Sequence, residues 1–161
     1  MKRCRGFTLI EILIVMAIIS IVSGVAVLAI TSNQNKSIEY FTQQLTHLIQ
    51  LSEEEAMLRP ATLGLAFTPT TFQFFSYHKN WQPLTDKNFG EHTIPNNIKI
   101  IVTVQNKPVP LDGKPHLIIS TSGDVSPFLI LIGKQNKPPR HQISGESNGN
   151  IKMEEAHENK E

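Results

Sequence analysis

Nineteen consecutive residues, Ile12 to Ile30, carry no charge, and only Ser20, Ser23 and Gly24 interrupt their apolar pattern. As a helix, a run of that length crosses a hydrocarbon layer of roughly 30 Å. The feature divides the chain. The segment before it is short and basic, with Lys2, Arg3 and Arg5. The long segment after it is polar, mixed and soluble in character. The sequence therefore reads as one domain with appendages in its 161 residues. A secretory signal would have a basic start and about 7–15 apolar residues before a small-x-small cleavage site. This run is longer, and its one weak candidate, Gly24-Val25-Ala26, lies inside it. A plain membrane anchor fits better, with the cations holding the amino terminus on the cytoplasmic side and residues after Thr31 sent across.

Neither reading accounts for Glu11, four residues into the apolar stretch that opens at Phe7. A charged side chain at the centre of a membrane helix costs about 2.5–3.5 kcal/mol on the insertion scale. Near a helix end it costs less, because it can snorkel to the headgroups. The alternative is a cation that meets it. A cut between Gly6 and Phe7 would create an α-amine at Phe7, one turn before Glu11, and that amine on one subunit could neutralise Glu11 of a neighbour. The cut would also remove three cations and Cys4, the only cysteine, leaving 12 basic against 14 acidic residues, a formal −2. No disulfide within one chain is possible, so the fold stands on its core.

Beyond Ser32-Asn33-Gln34-Asn35, which is polar enough to fray, Ile38, Phe41, Leu45, Leu48 or Ile49, Ser52 and Ala56 recur at steps of three and four. This predicts an amphipathic helix with one core-facing stripe. Glu53-Glu54-Glu55 falls mainly on its solvent side, and Arg59-Pro60 ends it. A continuous helix from Phe7 to Arg59 would span roughly 80 Å.

After Pro60 the pattern becomes short strands with turn signals. Leu63, Leu65 and Phe67 alternate with Gly64 and Ala66. Phe72 to Tyr77 answers as the second arm of a hairpin, and Trp81 to Leu84 closes the unit. Ile98–Val104 is a β-branched strand, and Val109–Pro115 a loop. His116–Thr121, Phe128–Ile132 and short strands near Ile143 and Ile151 complete an antiparallel head, with nine of the ten prolines from Pro69 onward at its turns. The tail, Glu154 to Glu161, has no apolar periodicity and is expected to be disordered. The expected organisation is a leader (1–6), a transmembrane half-helix (7–31), an amphipathic half (32–59), a β-rich head (60–153) and a tail (154–161). The fold class is α+β.

Arg5-Gly6-Phe7-Thr8-Leu9-Ile10-Glu11 resembles the leader junction of type IV pilins and type II secretion pseudopilins. The resemblance implies that a prepilin peptidase of the inner membrane cuts after Gly6 and N-methylates Phe7, and that Glu11 assists filament assembly. Many major pilins kink this helix with a proline about twenty residues into the mature chain; Leu28 occupies that neighbourhood here. The head narrows the resemblance. Glu55-Ala56 with Arg59, Leu63-Gly64-Leu65, Trp81 with Pro83-Leu84, Ser122-Gly123-Asp124 with Ser126-Pro127-Phe128, Ile143-Ser144-Gly145 and Gly149-Asn150-Ile151 resemble the H-type minor pseudopilins of type II secretion, over roughly residues 5–153. That family implies a long helix on a head of two antiparallel sheets. It also implies a place between the major shaft subunit and the tip complex of the pseudopilus, with major and other minor pseudopilins and inner-membrane lipid as partners.

Other functions are less well supported by the residues. The six histidines have no ligand spacing. No nucleophile–base–orienter set assembles, and Ser122-Gly123-Asp124 reads as a turn, so the chain is not expected to be an enzyme or to need a cofactor. Asp112 and Asp86 are lone acids and support no calcium site. A minor type IV pilin used in DNA uptake or twitching is the alternative. Its support is a weak basic patch, Lys134, Lys137 and Arg140, opposed by the acidic tail; the favoured reading involves no nucleic acid. Trp81, Phe74, Phe75 and Tyr77 are expected to pack the hairpin rather than to anchor a partner.

Overall fold

A computed structural model describes residues 8–59 and 61–156, the side chains of 24–34 excepted. The leader expected at 1–6, with the junction residues Gly6 and Phe7, lies outside them. One helix, α1, runs Leu9–Leu58. The chain divides into two compact units, residues 1–37 and 38–161.

In the second unit α1 behaves as its periodicity predicts. Ile38, Phe41, Leu45, Leu48, Ile49 and Ala56 are all buried, and each large side chain so covered contributes about 1.5–3 kcal/mol. Polar residues share that stripe because their hydroxyls bond back to the helix: Thr42 to the Ile38 carbonyl at 2.8 Å, Thr46 to that of Thr42 at 2.8 Å and Ser52 to that of Ile49 at 2.7 Å. The triple glutamate is less solvated than expected. Glu54 is exposed, but Glu53 and Glu55 are half-buried.

The strands are β1 (Leu63–Phe67), β2 (Thr71–His78), β3 (Asn80–Pro83), β4 (His92–Thr93), β5 (Ile98–Val104), β6 (Lys107–Pro108), β7 (Pro115–Ile119), β8 (Phe128–Lys134), β9 (Pro139–Gly145) and β10 (Ile151–Glu155). They form two five-stranded sheets. The first has the order β3-β2-β1-β7, with β4 also on β2; the second has the order β10-β9-β8-β5-β6. Every pairing of strands is antiparallel. Alternation fixes the register: Ile98, Ile100, Val102 and Val104 are buried while Lys99 and Ile101 are exposed. Rings from both helix and hairpin meet at the centre, Phe72 lying 6.1 Å from Phe41 and 6.4 Å from Phe74. Phe74 is fully buried there. The other aromatics of that stretch pack across the hairpin's outer face, where Tyr77 and Trp81 lie 5.2 Å apart and the Trp81 ring crowds Gly64.

One boundary needs correction. Glu154 and Glu155 belong to β10 and not to a disordered tail. They pair with Gln142 and His141, and the Gln142 amide donates to the Glu154 carboxylate at 3.2 Å. Backbone pairing carries an edge strand past the point where apolar alternation stops.

Candidate functional site

The first turn of α1 is built by its own side chains. Thr8 caps the helix. The Glu11 N–H donates to the Thr8 hydroxyl at 3.3 Å, and the Thr8 N–H donates to the Glu11 carboxylate at 3.5 Å. This is a reciprocal capping box, and it places an anion where the helix dipole favours one. The pattern Thr8-x-x-Glu11 is visible in the sequence, but it supplies a local partner where only lipid headgroups and a neighbour's amine were expected. Both bonds are long, and Glu11 is exposed. The carboxylate is therefore held loosely enough to take a better partner.

Around it the helix presents apolar side chains on all sides. Leu9, Ile10, Leu13, Met16, Ile19, Ile21 and Val22 are all exposed. The Ser20 hydroxyl in that stretch is turned back to the Met16 carbonyl at 2.8 Å. A contiguous apolar surface of this kind marks a site of association with other apolar surfaces. Among the described residues no helix is long and apolar enough to cross a membrane. Side chains are described there from 8 to 23, fewer than the roughly 20 residues a span needs. The apolar run itself continues to Ile30.

The head offers little chemistry. A cavity of about 270 Å³ at the end of α1 is lined by Glu55, Arg59, Ser76, His78 and Asp86 among others. Ser76 and His78 Nδ1 are 3.1 Å apart, which invites comparison with a nucleophile and its base. Asp86 does not orient that histidine. Its Oδ1 accepts the Asn88 and Phe89 N–H groups at 3.0 and 2.9 Å and builds a turn. Glu55 is engaged by Arg59 at 2.9 Å. Ser122 donates to Asp124 at 2.6 Å within the turn that Gly123, at φ 86°, allows. Asp112 is held below the usual carboxylate range, first by its hydrogen bond with His116 at 2.9 Å and then by the Lys114 N–H. Two basic neighbours there leave little place for a cation. Among the described residues no group of three or more His, Cys, Asp or Glu side chains is placed to hold a metal.

Residues 1–27 match the prokaryotic N-terminal methylation motif. The chain is 28% identical to type II secretion system protein H of Pseudomonas aeruginosa, covering 92% of this chain and 94% of that one. It is 25% identical to the protein of the same name from Vibrio cholerae, covering 95% of each. The fold matches the minor pseudopilin EpsH of the Vibrio cholerae type 2 secretion system with a TM-score of 0.63 at 19% identity, over 72% of this chain and 94% of that one. It matches the solution structure of Escherichia coli GspH with a TM-score of 0.57 at 16% identity, over 74% and 89%. The methylation motif, the α+β pilin-like head and a similarity that runs nearly end to end point the same way: this chain is similar, over nearly its whole length, to the H proteins of type II secretion.

Proposed function

We propose that this subunit joins the shaft of the type II secretion pseudopilus to its tip complex and so supports protein export across the outer membrane. Its work is structural and not catalytic. The observation that carries the reading is similarity to the H proteins over both the helix and the head. A shared leader alone would fit any pilin-like subunit.

In this reading prepilin peptidase cuts between Gly6 and Phe7 and methylates the Phe7 amine. Residues 7–31 hold the subunit in the inner membrane, with the amino terminus cytoplasmic and the head periplasmic. On assembly, contacts with other pseudopilin helices replace lipid around Leu9 to Val22. Glu11 leaves its loose capping box for the Phe7 amine of a neighbour and sets axial register. The continuous apolar run and the exposed carboxylate support this exchange.

The test is deletion and complementation in cells that carry the system. Export of cargo should stop without this subunit and return with it, and the tip proteins should no longer co-purify with the major subunit. Intact mass of the complementing protein should begin at N-methyl-Phe7, and Gly6→Leu should accumulate as uncut precursor. Normal export in the deletion strain, with twitching or DNA uptake lost instead, would move the subunit to a type IV pilus.

A further inference from the structure

The lower half of β5 is an open sheet edge beside a cleft. Val102 accepts the Val109 N–H at 3.0 Å on one edge of β5, while Gln105 donates to Pro127 at 2.7 Å on the other, the β8 side. Alternate residues of a strand aim their backbone groups at opposite edges. Ile100 therefore shares the edge of Val102, away from β8. The short β6 pairs only Thr103 and Val104. After Val109 the chain turns off, since Pro110 has no N–H to offer and the Gly113 N–H goes to Phe67 in the other sheet at 2.9 Å. Among the described residues, nothing bonds the Ile100 N–H and C=O on that edge.

The space beside it is a cleft of about 340 Å³, walled on one part by Ile98, Ile100, Leu111 and Pro69 and on the rest by Thr68, Lys99, Gln135 and Asn136. Lys99 and the exposed Ile101 on the solvent face of β5, Lys134 at the end of β8 and Lys137 in the turn that follows line a small depression. Lys99 lines both. Among the described residues none of these three cations makes an ion pair.

We infer that the edge of β5 left open at Ile100, next to an Ile98 N–H already bonded to the Pro95 carbonyl at 2.9 Å, receives an extended segment of a neighbouring pseudopilin, in which apolar side chains alternate with acidic ones. Main-chain pairing to Ile100 would supply the docking, as in other strand additions. Because strand side chains alternate faces, every second residue of the guest would enter the cleft towards Leu111, and those between would lie over Lys99 and its neighbours. The unpaired lysines complement an acidic guest, and the part of the cleft formed by Ile98, Ile100, Leu111 and Pro69 takes apolar side chains. The chain's own His157 to Glu161 is acidic but has no apolar residue to fill the cleft. The inference rests on the pseudopilin role proposed for this subunit.

The test places a photo-crosslinking amino acid at Leu111 of the full-length chain, in cells expressing the whole secretion system. A second variant carries it at Ile18 in the amino-terminal helix. Crosslinks from 111 should map by mass spectrometry to an extended segment of another pseudopilin with alternating acidic and apolar residues. Lys99→Glu in the same chain should reduce them about tenfold or more, and Lys99→Arg should not. These substitutions are on the surface and leave the core in place. Crosslinks at 18 to other pseudopilins, with none at 111, would overturn this inference and leave the family role standing. Crosslinks from 111 to residues 157–161, to a second copy of this chain or to a tip-unrelated protein would overturn it as well. Failure to reach any pseudopilin from either position would sink both readings.

Discussion

The same helix is used in two opposite ways. From Leu9 to Val22 its apolar side chains point everywhere and stay exposed, whereas from Ile38 to Ala56 they form a single stripe that is buried. Their hydroxyls behave alike, bonding back to carbonyls three or four residues earlier. The difference lies in where the cover comes from. In the head the chain supplies its own, by folding two sheets against the stripe. In the amino-terminal part the described apolar side chains stay uncovered, and the role proposed for this subunit assigns their cover to lipid and to other subunits. An all-round apolar helix can exchange one for the other at small cost, because lipid tails are as apolar as leucine.

The sharpest way to break this comparison is at Glu11, the one ionisable side chain in the apolar part. Glu11→Leu should insert and be processed normally, since the change only makes the segment more apolar. It should fail to enter the pseudopilus, leaving the Phe7 amine of a neighbour without a partner. Export and crosslinking to the adjacent subunit would be measured together. Glu11→Gln should be intermediate, keeping the capping bond but losing the charge. The capping box adds a control: Thr8→Ala weakens the cap by about 1 kcal/mol and leaves the charge. If Thr8→Ala and Glu11→Leu impair assembly equally, the carboxylate serves the helix end and not a neighbour.

In the head, the largest effect should come from Phe74, which no solvent reaches. Phe74→Ala should cost about 3–5 kcal/mol, enough to lose most of the stability of a small domain. Denaturant unfolding of the full chain in detergent would show it as a lowered midpoint. The paired change in the other region, Ile18→Ala, should leave that midpoint where it is, because Ile18 is exposed. A shift of similar size from Ile18 would mean that the two parts do not obtain their cover separately.

Gly145 should come next. A Cβ there would collide with the ring of the buried Phe128. Gly145→Ala should cost about 1–3 kcal/mol by overpacking, and Phe128→Leu in the same chain should recover part of it. Gly145 is paired with Phe128 across β8 and β9, so the absent side chain makes room for the ring.

These positions show what could be read from the residues. The helix stripe and the long strands were legible because burial alternates with a fixed period, from Ile38 to Ala56 and from Ile98 to Val104. The two-residue hairpin after β5 was not. Gln105 and Asn106 both take positive φ, 49° and 61°, without the glycine that usually marks such a turn. The strand β4 was missed because it has only two residues, and the end of β10 because Glu154 and Glu155 are held by backbone pairing. At the candidate site, Glu11 stood out by its charge. Its capping partner Thr8 was overlooked, since a search for distant cations passes over a bond three residues away. The Ser76–His78 contact was not legible, since a serine and a histidine two residues apart on a strand form no recognised motif.

The smallest effect should come from Glu53, which sequence placed on the solvent face with Glu54 and Glu55. Its carboxylate is half-covered and lies against the backbones of Gly123 and Gly149. Burial, and then the charge of Glu54, raise its pKa above the ordinary 4.5. The folded protein thus holds this proton more tightly than the unfolded chain does. Its contribution is fully present below pH 4.5 and is lost as pH rises through the folded value. Glu53→Gln, which mimics the protonated form, should therefore raise Tm at pH 7 and leave it unchanged at about pH 4. The site is partly solvated, so the rise should be about 1–3 °C. Glu54→Gln should give a smaller rise with the same pH dependence, because it removes only the second cause. A lower Tm for Glu53→Gln at pH 7 would mean that the charged carboxylate is favoured by the two glycine turns, and that this edge of the helix stripe is electrostatic as well as apolar.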